Sequence, residues 1–282
     1  MGHRANLVLV ENKEPKIYYT PWRAQETPNI LAQGFDFCVN YFKEFTEEGW
    51  LMDNAFAEGG ILIDKDNKNV LIFGGGEITF TPALQRYYCK HIIRIWKSWN
   101  VEWCHKGIVD FAEYLGIMED RILANGCIPN FSKREEWSYT MDADRTQDDV
   151  ITIICNGTIS DYKQDWGLDG IEMCIARGEL LKDIIPDELK IYKWHNEIET
   201  TDCLLVDYDT KKIFICWGSY TDSRHDNKVR EIWKGWTVQR QTDGLIFHFD
   251  YTNRDKSLVE MTDIQFEEYC QKNNLFEFDP DI

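Results

Sequence analysis

Gly60 to Gly75 reads GILIDKDNKNVLIFGG, and Cys203 to Gly218 reads CLLVDYDTKKIFICWG. Each stretch is an apolar run, a polar turn and a second apolar run, the pattern of two strands joined by a hairpin. The predicted strands are Gly60 to Asp64 and Val70 to Phe73 in the first, and Leu204 to Val206 and Ile213 to Cys216 in the second. The aspartates of DKDNK and DYDTK invite a calcium reading. An EF-hand loop counted from Asp64, however, needs glycine sixth and glutamate twelfth, and those places hold Asn69 and Gly75. Both segments are read as polar hairpin turns.

The likeness extends in both directions. Upstream, Leu7-Val8-Leu9-Val10 answers Ile151-Thr152-Ile153-Ile154, Trp22 meets Trp166, Leu31 meets Ile175 and Gly34 meets Gly178. Downstream, Ile95 to Val101 (IWKSWNV) answers Ile232 to Val238 (IWKGWTV). Three blocks in one order, about 140 residues apart, imply two tandem copies of one fold, residues 1–145 and 146–282.

Each copy opens with a hairpin: Leu7 to Val10 and Lys16 to Thr20 in the first, Val150 to Cys155 and Thr158 to Tyr162 around Asn156-Gly157 in the second. Asn-Gly favours such turns because both residues tolerate positive φ. In copy one, Ile30, Leu31, Phe37, Cys38, Tyr41, Phe42 and Phe45 then recur at helical spacing. Copy two answers with Ile171, Cys174, Ile175, Leu181, Ile184 and Ile185. The shared glycines 34 and 178 fall inside these stretches, where a break between two short helices or a close packing contact would explain them. After the central hairpin come helices over Pro82 to Trp99 and Asn227 to Trp236, then strands Val101 to Cys104 and Val238 to Gln241. The unit reads ββ-α-ββ-α-β, an α+β arrangement whose sheet is mostly antiparallel with helices packed on one face. Beyond it the copies are expected to diverge. Copy one adds a helical stretch from Val109 to Leu123, and copy two a strand near Leu245 to Tyr251 and a helix opened by Thr262 and ending at Lys272.

Composition is that of a folded chain, 43% hydrophobic and 14% aromatic. The net charge is -18. The first 145 residues carry 16 basic and 21 acidic side chains and the remainder 15 and 28, so copy two is the acidic one. Such a field repels phosphate backbones and anionic lipid, so neither nucleic acid nor membrane is expected as a partner and a basic protein is. Nine cysteines without a CxxC pair read as reduced, mostly buried thiols. With no secretory signal and no apolar run of about 20 residues, a cytoplasmic location is expected.

No nucleotide-binding or catalytic signature is present, no cofactor is implied, and the six histidines show no metal spacing. Gly74-Gly75-Gly76 follows a strand and precedes a helix, but it lacks a lysine and is followed by Glu77, so it reads as a strand-end turn. Cys104 and His105 point to opposite faces as strand neighbours and form no dyad. The difference between the copies narrows the search, since shared residues serve the fold and polar residues of one copy alone are free to serve function. Copy one has Arg4 and Asn6 where copy two has Asp148 and Val150, and Glu58 where copy two has Thr201. Arg4, Asn6, Trp22, Arg23 and Glu58, with Trp166 in copy two, are the candidate binding residues, beside strand ends where a sheet often presents a site.

Arg4-Ala5-Asn6, Tyr18-Tyr19 followed by Trp22, and Ala57-Glu58-Gly59-Gly60 resemble a group of uncharacterised bacterial proteins. The resemblance covers copy one and implies no activity. Members of that group carry a glycine after the tryptophan, where this chain has Arg23 in copy one and Gly167 in copy two.

The leading expectation is a non-enzymatic protein-binding module, of the kind an immunity protein exemplifies by neutralising a basic toxin. The acidic copy two and the aromatic content motivate it. The alternative is an enzyme or small-ligand binder with a cleft in copy one or between the copies, Arg4 and Glu58 forming its charged pair and Trp22 a stacking wall.

Overall fold

The runs Leu7 to Val10, Gly60 to Ile63 and Val70 to Phe73 show no polar alternation, and their residues are buried throughout. A strand with one wet face alternates, whereas a strand covered on both faces reads as a continuous apolar run. The computed structural model describes residues 3–124, 148–165, 170–184, 197, 200–218 and 220–277. It is α+β, with one sheet in each of two compact units.

The first unit contains β1 (Ala5–Glu11), β2 (Glu14–Thr20), α1 (Thr27–Ala32), α2 (Phe35–Phe42), β3 (Thr46–Glu47), β4 (Gly59–Asp64), β5 (Asn69–Phe73), most of α3 (Pro82–Ile92), β6 (Asn100–Trp103) and α4 (Ile108–Tyr114). The second contains β7 (Asp148–Cys155), β8 (Thr158–Asp165), α5 (Gly170–Ala176), α6 (Leu181–Ile184), β9 (Thr200–Asp207), β10 (Lys212–Cys216), α7 (Ser223–Ile232), β11 (Thr237–Arg240) and α8 (Leu245–Tyr251). The last helix, α9 (Asp263–Lys272), belongs with the first unit. The sequence division at 145/146 lies outside the described residues.

The first sheet has the order β3-β2-β1-β4-β5-β6 and the second β11-β10-β9-β7-β8. Reversed, and among the described residues, the second is the first without a counterpart of β3. Pairing senses agree too: β1 with β2 and β4 with β5 are antiparallel, β1 with β4 and β5 with β6 parallel, and the same holds for their counterparts in the second sheet. Register agrees to the residue through the centre of the sheets, and a bulge between Asp148 and Val150 shifts the start of β7 against β9. Leu7 faces Ile61, which faces Ile72; Ile151 faces Leu204, which faces Ile215. The sheets are therefore mixed, because the helical crossover after each opening hairpin returns the chain parallel to its first strand.

Helices cover both faces of the second sheet, one more than the sequence led us to expect. Ile151, Ile153, Leu204, Val206, Ile213 and Ile215 pack with α5 and α7, while Val150, Cys203 and Cys216 pack with α8. The segment Leu245 to Tyr251, expected as a strand, is that helix. Gly244 opens it at φ 59°, as Gly107 opens α4 at φ 60°. At this helix the copies match instead of diverging, down to the bond that closes it: Ile117 N–H to the Ala112 carbonyl and Arg254 N–H to the Phe249 carbonyl, both 2.8 Å. A seven-residue helix with Phe, His and Tyr interspersed is too short and too aromatic to stand out from a strand by periodicity.

The tryptophan signature also sits differently. α3 ends at Ile92 and α7 at Ile232, so Trp96 and Trp99, like Trp233 and Trp236, lie in or beside the turn that follows. Ser98 at φ 67° and Gly235 at φ 86° make that turn. Each buried first indole donates to a helix carbonyl, Trp96 Nε1 to Leu31 at 2.8 Å and Trp233 Nε1 to Ile175 at 3.0 Å. Gly34 and Gly178, both at positive φ, break the two short helices just beyond those carbonyls. The N-cap at Thr262 is as expected, with Gln265 completing a capping box.

The aspartate turns are braces. Asp64 accepts from the N–H groups of Asp66 and Asn67 and from the Tyr114 hydroxyl at 2.6 Å; Asp207 accepts from Asp209, Thr210 and the Tyr251 hydroxyl at 2.8 Å. Asp66 and Asp209 reach across to the N–H groups of the neighbouring hairpin turn, Asn12 and Lys13 in one case and Asn156 and Gly157 in the other. Burial alone would raise the pKa values of Asp64 and Asp207, but these donors outweigh it and hold both below the usual carboxylate range.

Candidate functional site

One end of the first sheet gathers the starts of β1 and β4 and the ends of β2 and β5. Four of the five candidate residues of copy one are tied to the chain entering β1 there. The Arg4 N–H donates to Glu58 Oε2 at 2.8 Å, and the Arg4 carbonyl accepts from Glu58 N–H at 2.9 Å and Gly59 N–H at 3.2 Å. The Arg4 guanidinium lies 4.5 Å over the Phe56 ring, with Nε 3.9 Å from Glu58 Oε2. Arg4 and Glu58 therefore converge, but on each other.

Asn6 is a clamp. Only 1% exposed, it accepts from Met52 N–H at 2.9 Å and donates to the Tyr18 carbonyl at 3.4 Å. Trp22 is 63% exposed, and its loop is fastened at Ala24, whose N–H bonds the His3 carbonyl at 2.8 Å. Arg23 is half-buried in that loop, near enough to Tyr41 to act on its phenol electrostatically. Trp166 lies outside the described residues.

What sequence reasoning passed over is the strap running from Glu44 to Glu58. It contains five acidic residues, 44, 47, 48, 53 and 58, and no lysine, arginine or histidine. That run without a base, interrupted by Phe45, Trp50 and Phe56, was the available signal. The strap is pinned along its length: Glu48 and Gly49 N–H to the Ile17 carbonyl, Met52 to Asn6, Asn54 to the Ile122 carbonyl, Glu58 to Arg4. Leu51, Met52 and Ala57 are buried, yet Trp50 is 55% and Phe56 49% exposed, and Glu44, Glu47, Glu48 and Glu58 stand in solvent. Burial follows hydrophobic size in an ordinary loop; here the largest rings face outward on a fixed backbone.

The second unit differs from the first in its interior. Thr152 Oγ1 lies 2.7 Å from Asp161 Oδ1 and 2.8 Å from His248 Nδ1, and Arg254 grips Asp161. By repeat register these four stand at the positions of Val8, Ile17, Phe111 and Ile117. An ionised Asp161 can only accept, so Thr152 donates to it and accepts from His248 Nδ1–H, which fixes the histidine tautomer. Burial, and then the positive Arg254, press His248 down to about 3. Volume is traded in the same place: a Cβ on Gly60 would lie 2.6 Å from Phe73 and 2.8 Å from Phe111, while the counterpart trio is Cys203, Cys216 and His248.

Asp149 and Asp202 replace Ala5 and Gly59. A side chain at 59 would meet the Ala24 backbone at 2.7 Å, so the first unit has no room for one. Asp149 Oδ1 accepts from Thr201 Oγ1 at 2.8 Å and Asp202 N–H at 3.3 Å, and Asp202 accepts from Gly218 N–H. Burial, reinforced by the Asp202 charge, holds Asp149 well above the usual carboxylate range, and burial pushes Asp202 up to about 6. These groups lie inside the second unit, whereas the strap is open to solvent. Cys104 is buried, and that burial drives its thiol well above 9.0, which leaves it a packing residue.

Comparison with known families, curated proteins and solved structures returned no match. Among the described residues no helix is long and apolar enough to cross a membrane.

Proposed function

We propose that the chain is a non-enzymatic binding module that captures a basic protein, as an immunity-type protein does, through the Glu44 to Glu58 strap of its first unit. The observation that supports this reading is that three large rings, Trp22, Trp50 and Phe56, are exposed on segments whose backbone is pinned, with exposed carboxylates at 44, 47, 48 and 58 along the same strap as two of them. Aromatics anchor interfaces because they bury much area with few rotors, and carboxylates around them steer a cationic surface into contact. A pinned strap also has little conformational entropy left to lose on binding. The net charge of -18 adds long-range attraction of the same sign.

Affinity capture with the full chain should recover a basic protein whose retention falls as salt rises from low to physiological ionic strength. Glu47→Gln with Glu48→Gln should weaken that retention. Recovery that is indifferent to salt and to both substitutions would overturn the proposal.

A further inference from the structure

The strap already holds one arginine, and the manner of holding is informative. Arg4 lays its guanidinium 4.5 Å over Phe56 while Glu58 stands 3.9 Å from its Nε. A flat ring beneath and a carboxylate beside is the arrangement that suits a planar, weakly hydrated cation. That cradle is already taken by the chain's own Arg4. The same two ingredients recur farther back along the strap: Trp50 is 55% exposed, and Glu47 and Glu48, three and two residues before it, are exposed too. Tryptophan offers the best face for a cation. The backbone beneath is set, because Glu48 and Gly49 N–H both bond the Ile17 carbonyl and Met52 bonds the buried Asn6.

We propose that the strap receives arginine side chains of its partner, with Trp50 as the stacking ring and Glu47 and Glu48 as the flanking carboxylates. The inference rests on the reading of the chain as a binder of a basic protein, and adds the side-chain chemistry by which it chooses. Lysine carries equal charge but a compact, strongly hydrated ammonium, so it profits less from a ring and cannot lie flat on one. Charge steers both; the ring discriminates.

The test is isothermal titration calorimetry of the full chain with two synthetic peptides of equal length and charge, one of arginines alternating with glycine and one of lysines alternating with glycine. The arginine peptide is expected to bind about three- to fivefold more tightly. That ratio should fall to about one in Trp50→Ala, with circular dichroism showing the fold intact, and likewise in Trp50→Leu, which keeps apolar bulk without a π face. Glu47→Gln with Glu48→Gln should weaken both peptides. Equal affinity of the two peptides for the unaltered chain would overturn the inference while leaving the basic-partner reading in place. An arginine preference that survives in both Trp50 variants would also overturn it. Binding of neither peptide would overturn both.

Discussion

Replacing His248 with asparagine should flatten the acid side of the second unit's stability profile. His248 is 1% exposed and held neutral to about pH 3, whereas an unfolded chain protonates histidine near pH 6.5. A folded pKa depressed below the unfolded value gives a contribution that is complete above about pH 6.5 and is lost as pH falls toward 3. At pH 5 the unfolded histidine is protonated and the folded one is not. The gap of about 1.5 pH units to the unfolded pKa then corresponds to about 2 kcal/mol lost relative to pH 7.5. Asparagine keeps an N–H donor near the Nδ1 position for Thr152 but does not titrate, so it lowers stability by a similar amount at every pH through the missing ring volume. Urea unfolding followed across pH 5 to 7.5 should therefore show unaltered protein and variant converging by about 2 kcal/mol as the pH falls. Parallel profiles would refute the buried neutral histidine.

Asp202→Asn should act on the opposite side. Its folded pKa is raised, so the stability it contributes is present below about pH 3.9 and lost as pH climbs through about 6, and the variant should gain on the unaltered chain between about pH 3.9 and 6 and hold that gain above, in urea unfolding extended down to about pH 3.5. Lys13→Gly should stabilise the first unit by about 0.5–1 kcal/mol, since Lys13 sits at φ 64° where copy two has Gly157, and thermal unfolding would register the gain. Trp96→Phe and Trp233→Phe should each cost about 1–3 kcal/mol, because each leaves a buried helix carbonyl without its indole donor. Widely unequal losses would undo the claim that the two tryptophans do the same work.

The order of elements over the core of each copy was legible because continuous apolar runs and polar turns mark strands whatever their partners. The repeat then checked each reading against its twin. Strand order was not legible, since a parallel return and an antiparallel one leave the same apolar run. The second covered face was legible in principle: LVLV and GILI have no wet side. α8 was hidden by its brevity, and its kinship with α4 shows only when Gly107 and Gly244, and Tyr114 and Tyr251, are seen to play the same parts. At the site, Arg4, Asn6 and Glu58 were legible as differences between the copies, though Asn6 turned out to be a buried clamp. The strap escaped because Trp50 and Phe56 resemble core residues in sequence, and only the burial of their smaller neighbours Leu51, Met52 and Ala57 shows that they point outward.

The central claim is one of place: binding belongs to the strap and the adjoining Trp22 loop of the first unit. Hydrogen–deuterium exchange of the full chain with and without its captured basic partner tests it most directly. The account predicts slowed exchange within residues 44–58 and 20–24, with the second unit little changed. Protection confined to the second unit, or spread evenly over both, would contradict it.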